Sequence, residues 1–156
     1  MHFPNQYKYG SPDFIKFVKN LKKNRSGDKG RLICFQGGNI SNNIKAAQYI
    51  AFDLNSPLIK INCSKIITKS IGETEKNLDR LFDEVESEAD IIFLEEADVF
   101  FNSNSDHFVE ELLQLILKSI DKSRRMVLLS VMSEAKRPSS SLEKFDSIIQ
   151  FRELTK

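Results

Sequence analysis

Three carboxylates close the run Ile91-Ile92-Phe93-Leu94-Glu95-Glu96-Ala97-Asp98, and no other stretch of this 156-residue chain is better placed to do chemistry. Four unbroken apolar residues without alternation read as a strand covered on both faces, the pattern of a central parallel strand in an α/β sheet. Carboxylates at the end of such a strand sit at the carboxyl edge, where open α/β sheets keep their ligands, and there they can meet a cation or move a proton. The same three residues also suit an ordinary solvated strand end or the N-terminus of a helix. Cys34 and Cys63, the only thiols, lie in apolar strand-like runs with no His or Cys at metal-ligand spacing, which favours buried, reduced thiols over a metal site.

The elements that would position these residues alternate along the chain. Ser11-Pro12-Asp13 offers an N-cap, a first-turn proline and a first-turn acid, and Phe14, Phe17, Val18 and Leu21 follow at helical spacing, giving a helix that ends near Asn24. Residues 25–30 form a loop, and Arg31 to Gln36 is a first buried strand. Gly37 to Asn42 is a polar turn; Ile44, Ala47, Ile50, Ala51 and Leu54 resume helical spacing until Asn55-Ser56-Pro57 stops it. Leu58 to Asn62 is a second strand, Thr74 to Glu88 a helix with Leu78, Leu81, Phe82 and Val85 on one face, and the carboxylate-bearing run the third strand. A helix from His107 to about Asp121, a fourth strand at Met126 to Val131, a short link at Ser139 to Phe145 and a fifth strand at Ile148 to Phe151 complete the series. Helical crossovers between strands imply a parallel sheet between helical layers. Met1 to Gly10 has no period, and its Phe3, Tyr7 and Tyr9 suit an arm tucked against a domain spanning residues 11–156.

Composition narrows the function classes. With 40% hydrophobic and 29% charged residues the chain is an ordinary globular domain, long enough to bury roughly two thirds of its unfolded surface. A formal net charge of +1 gives no reason to expect nucleic acid, and Lys16, Lys19, Lys22, Lys23 and Arg25 read as a solvated helix face in preference to a phosphate patch. With no apolar leader and no run long enough to cross a bilayer, the expectation is a cytoplasmic domain that neither spans nor enters a membrane.

The order of strand, glycine-containing turn, helix and strand, then Ile71-Gly72-Glu73-Thr74-Glu75-Lys76-Asn77-Leu78 and Phe93-Leu94-Glu95-Glu96-Ala97-Asp98, resembles the AAA+ ATPase core over about Arg31 to Phe151. The resemblance implies a three-layer αβα fold of the P-loop NTPase type, a five-stranded parallel sheet in the order 5-1-4-3-2, a nucleotide at the end of the first strand, and assembly into rings with sites between neighbours. It implies, for an active member, ATP and Mg²⁺ as cofactors.

Laid on that family's Walker A pattern, the turn reads Gly37-Gly38-Asn39-Ile40-Ser41-Asn42-Asn43-Ile44. A phosphate turn needs glycines so that backbone N–H groups close on the anion, a lysine for the β- and γ-oxygens, and a hydroxyl for Mg²⁺. Here Ile40 and Asn42 occupy the second and third glycine positions, Asn43 the lysine position and Ile44 the hydroxyl position. Lys45 is no substitute, because two helical residues turn it roughly 200° away from the lysine direction. Losing the charge-assisted bonds of the lysine alone weakens affinity by roughly three decades. Glu96 matches the family's water-orienting glutamate, whereas Glu95 replaces the metal-holding aspartate with a side chain one methylene longer. Met132 takes the sensor 1 position. Glu143 and Lys144 stand where arginine fingers are expected, and Ser70, before Ile71-Gly72, takes the place of the aromatic pore-loop residue.

These departures fall in the chemistry and spare the hydrophobic scaffold, so the sequence reads as a catalytically degenerate AAA+ domain that acts as a non-hydrolysing interaction or scaffold module. Its expected partners are proteins, either an active AAA+ subunit or further copies of itself, with no cofactor. The alternative is a weakly active ATP-binding motor domain. The sequence stops at Lys156, where the family's helical lid would begin, so the expectation is a fragment or a domain without a lid.

Overall fold

The structure is a computed structural model, and it describes residues 4–23, 30–85, 91–101, 106–123, 125–132 and 144–151. Six parallel strands form one sheet: β1 (Asn5–Lys8), β2 (Arg31–Gly37), β3 (Leu58–Asn62), β4 (Ile91–Glu95), β5 (Met126–Val131) and β6 (Ser147–Phe151), in the spatial order β1-β6-β2-β5-β4-β3. Strands β2 to β6 reproduce the expected order 5-1-4-3-2, and β1 adds a sixth strand beside β6. Asn5 pairs with Ser147 and Lys8 with Gln150, and the Tyr9 N–H continues the ladder to the Gln150 carbonyl at 2.9 Å. The expected arm is therefore an edge strand, pinned by its aromatics: Tyr7 stacks on Phe17 with centroids 4.5 Å apart, and Tyr9 on Phe151 at 4.8 Å.

The strands carry side chains to both faces because successive residues alternate. On β2, Leu32 and Cys34 enter one core and Ile33 and Phe35 the other, all four fully buried. The first core lies under α3 (Ile71–Val85), the short α4 (Asp98–Phe101) and α5 (Asp106–Ser123), and takes Leu78, Leu112, Leu113 and Ile116 from them. The second lies under α1 (Pro12–Lys23) and α2 (Ile40–Asp53), with Phe14, Val18, Ala47 and Ile50. Burying each such Leu, Ile or Phe contributes about 1.5–3 kcal/mol, so the two cores, with the ladder between them, fix the carboxyl edge as a rigid platform. Cys34, on a central strand, and Cys63, in a single 3₁₀ turn after β3, are both buried and are not joined in a disulfide.

Helix starts follow local chemistry. The Ser11 hydroxyl accepts the Phe14 N–H at 3.1 Å, as expected of an N-cap before Pro12. Helix α2 starts at Ile40, inside the segment expected to be a polar turn, and α3 starts at Ile71, three residues before its expected start. Helix α4 has no counterpart in the sequence reading; the buried Phe100 and Phe101 anchor it to the first core.

Candidate functional site

The carboxyl ends of β2, β4 and β5 meet where the sequence placed the candidate chemistry. Strand β2 ends at Gly37 and Gly38 follows it, at φ 85° and 78°. These are left-handed conformations that glycine adopts freely. A Cβ at Gly37 would lie 2.9 Å from the Phe151 carbonyl oxygen, and one at Gly38 2.6 Å from the Phe151 Cβ, so β6 packs directly over the turn. Asn39 is extended, and its Oδ1 accepts the Asn42 N–H at 2.8 Å, which makes it the N-cap of α2. Helix therefore replaces open loop from Ile40 onward, because Asn39 is a strong cap and nothing after Gly38 favours a left-handed turn. The Ile40 and Asn42 positions thus become the first helical turn.

Asn43, which the sequence resemblance sets at the lysine position, is fully buried. Its amide nitrogen donates to the Gly37 carbonyl at 3.0 Å and to the Asn39 carbonyl at 2.8 Å, and its Oδ1 accepts from the Ser130 hydroxyl at 2.9 Å. Every polar group of this side chain is aimed back at the turn and at β5. Ile44 packs against the second core, Ser41 is exposed, and Lys45 is exposed on the outer side of α2.

The carboxylates lie beside this turn. Glu95 ends β4 in register with Asn62 on β3. Glu96 takes a left-handed φ of 58°, and its Oε1 accepts from the Asn62 side-chain amide at 2.6 Å. The Ala97 N–H donates to the Ser130 carbonyl at 2.8 Å, and Asp98 Oδ1 accepts the Met132 N–H at 3.0 Å, so the ends of β4 and β5 are tied twice. Ser130 joins the two halves of the site: its hydroxyl reaches Asn43 and its carbonyl reaches Ala97. Cys63 lies close enough to feel all three acids; burial, and after it the charges of Asp98, Glu96 and Glu95, push its thiol well above the ordinary range. Among the described residues no three His, Cys, Asp or Glu side chains converge on a point that could hold a metal ion, although Mg²⁺ bound through phosphates needs only one or two carboxylates.

The sequence model of the family described as "ATPase family associated with various cellular activities (AAA)" matches residues 45–153. The chain belongs to the AAA family. The matched span opens at Lys45, one residue past the Gly37–Ile44 turn, and takes in both the α3 start and the carboxylate strand. No curated protein matches the chain. Among solved structures, the crystal structure of the FIGL-1 AAA domain in complex with ADP superposes with a TM-score of 0.65 at 15% identity, covering 96% of this chain and 56% of that one. At that identity the likeness is one of fold, and this AAA domain spans little more than half the length of its structural neighbour.

Of the other positions read from the resemblance, Ser70, Ile71 and Gly72 open α3, and Met132 follows Val131, the register partner of Gln36 just before the turn. Ser70 caps α3, its hydroxyl accepting the Glu73 N–H at 3.3 Å, and Ile71 and Gly72 form the first helical turn. Thr74, fully buried, locks the same segment: its Oγ1 accepts the Thr68 N–H at 3.0 Å, while the Thr68 hydroxyl donates to the Ser70 carbonyl at 2.9 Å. The sequence reading did not single out Thr74, Asn62 or Ser130; a small polar residue inside an otherwise apolar or amphipathic pattern is their common signal. Met132, at the sensor 1 position, is half-buried and engages Asp98 through its main chain. Lys144 lies just before the buried Phe145, whereas Glu143, with the link that begins at Ser139, lies outside the described residues. Asp146 is a further structural residue the sequence did not announce: its Oδ2 accepts the Leu32 N–H at 2.7 Å, clamping the approach to β6 onto β2. For the β- and γ-phosphates of ATP, the donor set of the turn does not fit. Residues 40–44 are wound into a helix capped by Asn39, Asn43 is buried among its own partners, and residues 37–44 include no cation.

Proposed function

We propose that this AAA domain is a non-catalytic interaction module, a member of the family that keeps the ATPase scaffold and has given up ATP hydrolysis. One observation carries the reading. The side chain at the lysine position, Asn43, is buried and spends its hydrogen bonds on Gly37, Asn39 and Ser130. A phosphate entering there would have to break those bonds and would gain no cation in return. The other positions agree with it: Ile44 for the hydroxyl, Met132 for the sensor and Glu143-Lys144 for the arginine finger, whose activating effect in active members is typically worth about 10³–10⁵ in rate. Glu96, the best-kept catalytic position, is held by Asn62 and is idle in this reading.

The domain works in the cytoplasm through protein partners, either further copies or an active AAA+ subunit that supplies the hydrolysis, and it takes no cofactor, nucleic acid or membrane. No helix among the described residues is long and apolar enough to cross a membrane. Titrating the protein into a fluorescent ATP analogue with Mg²⁺ tests the proposal. No saturation is expected below about millimolar protein. Micromolar affinity, with a turnover that Glu96→Gln abolishes, would establish a motor domain in its place.

A further inference from the structure

The two helical layers that cover the sheet differ in chemistry. Among the described residues four large apolar side chains are exposed, Ile15, Ile40, Tyr49 and Phe52, and all four lie on α1 and α2. Phe52 is 85% exposed on the last turn of α2, and Tyr49 is 36% exposed one turn earlier. Lys45 precedes Tyr49 by four residues and Phe52 follows it by three, so the three side chains share one helical stripe. The Phe14 ring meets the Tyr49 ring at 5.9 Å, which sets α1 alongside that stripe. Helix α1 then contributes the exposed Ile15, Lys16, Lys19 and Lys22, and carries four lysines against a single aspartate. On the opposite layer α3 and α5 carry nine carboxylates against four Lys or Arg, and neither exposes a large apolar side chain among the described residues.

We infer that the α1–α2 face docks an acidic amphipathic helix of another protein, its apolar side chains seated on Ile15, Tyr49 and Phe52 and its carboxylates meeting Lys16, Lys19 and Lys45. Two helices packed side by side leave a surface that a third helix can lie along, and exposed aromatic and aliphatic side chains beside lysines on the same two helices select a partner that is both apolar and acidic. Charge complementarity decides among the occupants only together with the apolar pattern. A second copy offers carboxylates on its α3–α5 layer but, among the described residues, no exposed large apolar group there to meet Phe52. An anionic bilayer would attract the lysines but would select no particular spacing of apolar groups to match Ile15, Tyr49 and Phe52. The inference deepens the interaction-module reading and rests on it, since it names the surface and the partner's chemistry.

Fluorescence anisotropy tests it, with the full chain titrated into a labelled synthetic helix of leucine and glutamate, leucine recurring at three- and four-residue steps. Saturable binding that weakens with salt is expected. Phe52→Ala, at a side chain 85% exposed and outside both cores, should weaken it by about tenfold. Lys16→Glu with Lys19→Glu should weaken it by a similar factor and flatten the salt dependence. Four outcomes overturn the inference: no binding up to about 1 mM peptide, equal binding of a scrambled peptide of the same composition, an effect of Phe52→Ala below about twofold, or a concentration-dependent rise in mass by light scattering that Phe52→Ala removes, which would assign the face to a second copy. Binding to phosphatidylserine vesicles in place of the peptide likewise overturns it. ATP titration of the same protein keeps the readings distinct, because tight ATP binding with intact peptide docking removes the non-catalytic reading and leaves the surface standing.

Discussion

If Asn43 closes the turn, removing its side chain should cost stability, although in an active phosphate turn the same position is occupied by a residue that waits for its ligand. Asn43→Ala deletes two donated bonds, to Gly37 and Asn39, and one accepted from Ser130, all at 2.8–3.0 Å and at a fully buried position. Each buried neutral bond is worth about 0.5–1.5 kcal/mol net, and the Ser130 hydroxyl is left in a low-dielectric surround, so the loss should be about 2–4 kcal/mol. For a domain of this length that lowers the melting temperature by roughly 5–15 °C. Urea unfolding followed by far-UV circular dichroism measures it, with Asn42→Ala as the control. Asn42 sits one residue away on the same helix and engages the cap only through its main chain, so its change should stay within about 0.5 kcal/mol. A double-mutant cycle with Ser130→Ala should return a coupling of about 1 kcal/mol. Equal effects of Asn43→Ala and Asn42→Ala, or no coupling to Ser130, would refute the reasoning.

Two further outcomes follow from the same structure. Gly38→Ala should destabilise more than Gly10→Ala: both sites are left-handed, at φ 78° and 84°, and each costs an alanine about 1–2 kcal/mol on that account, but a Cβ at Gly38 meets the Phe151 Cβ at 2.6 Å, while one at Gly10 meets nothing within 4 Å. Equal losses of melting temperature would mean that β6 yields to the turn. Cys63 should make the fold weaker in alkali. With its thiol held protonated by burial and by Asp98, Glu96 and Glu95, the folded state binds the proton more tightly than the unfolded chain, whose thiol titrates near 9.0, so this contribution is complete below that pH and is lost as pH rises through it. The slope should approach about 1.4 kcal/mol per pH unit, and urea midpoints from pH 7 to 10 should flatten in Cys63→Ala; an unchanged slope would count against a buried neutral thiol.

Much of the fold was legible because central strands announce themselves. Ile91 to Leu94 and Leu32 to Phe35 are apolar on both faces, and the strands they predict agree with β4 and β2 to within one residue. Strand β1 was not legible, since Asn5-Gln6-Tyr7-Lys8 is polar and exposed, and only long-range register with β6 makes it a strand. The start of α2 was misplaced for a different reason: aligning Gly37 to Ile44 with a phosphate turn hid the capping value of Asn39, which is a local signal in plain view. The carboxylates were legible in position and not in posture. Nothing in Glu95-Glu96 tells that Glu96 turns left-handed toward Asn62, because that geometry depends on a neighbouring strand.

An open phosphate turn is costly to keep without its ligand, since its N–H groups point at an empty centre and must wait for an anion or water. In this chain residues 37–44 satisfy one another. The Asn39 cap, worth about 1 kcal/mol, satisfies one amide, the first helical turn satisfies the Asn43 N–H through the Asn39 carbonyl, and Asn43 joins the turn to Ser130. Restoring a lysine alone would therefore not restore a site. An ammonium at position 43 would find the Gly37 and Asn39 carbonyls already beside it, while Asn39 would still cap the helix and Ile40 and Asn42 would still oppose an open loop. The residues of the turn support one another through these bonds, so the proposed reading, in which the turn serves stability, expects Asn43→Lys alone to give no ATP affinity in the fluorescent-analogue titration.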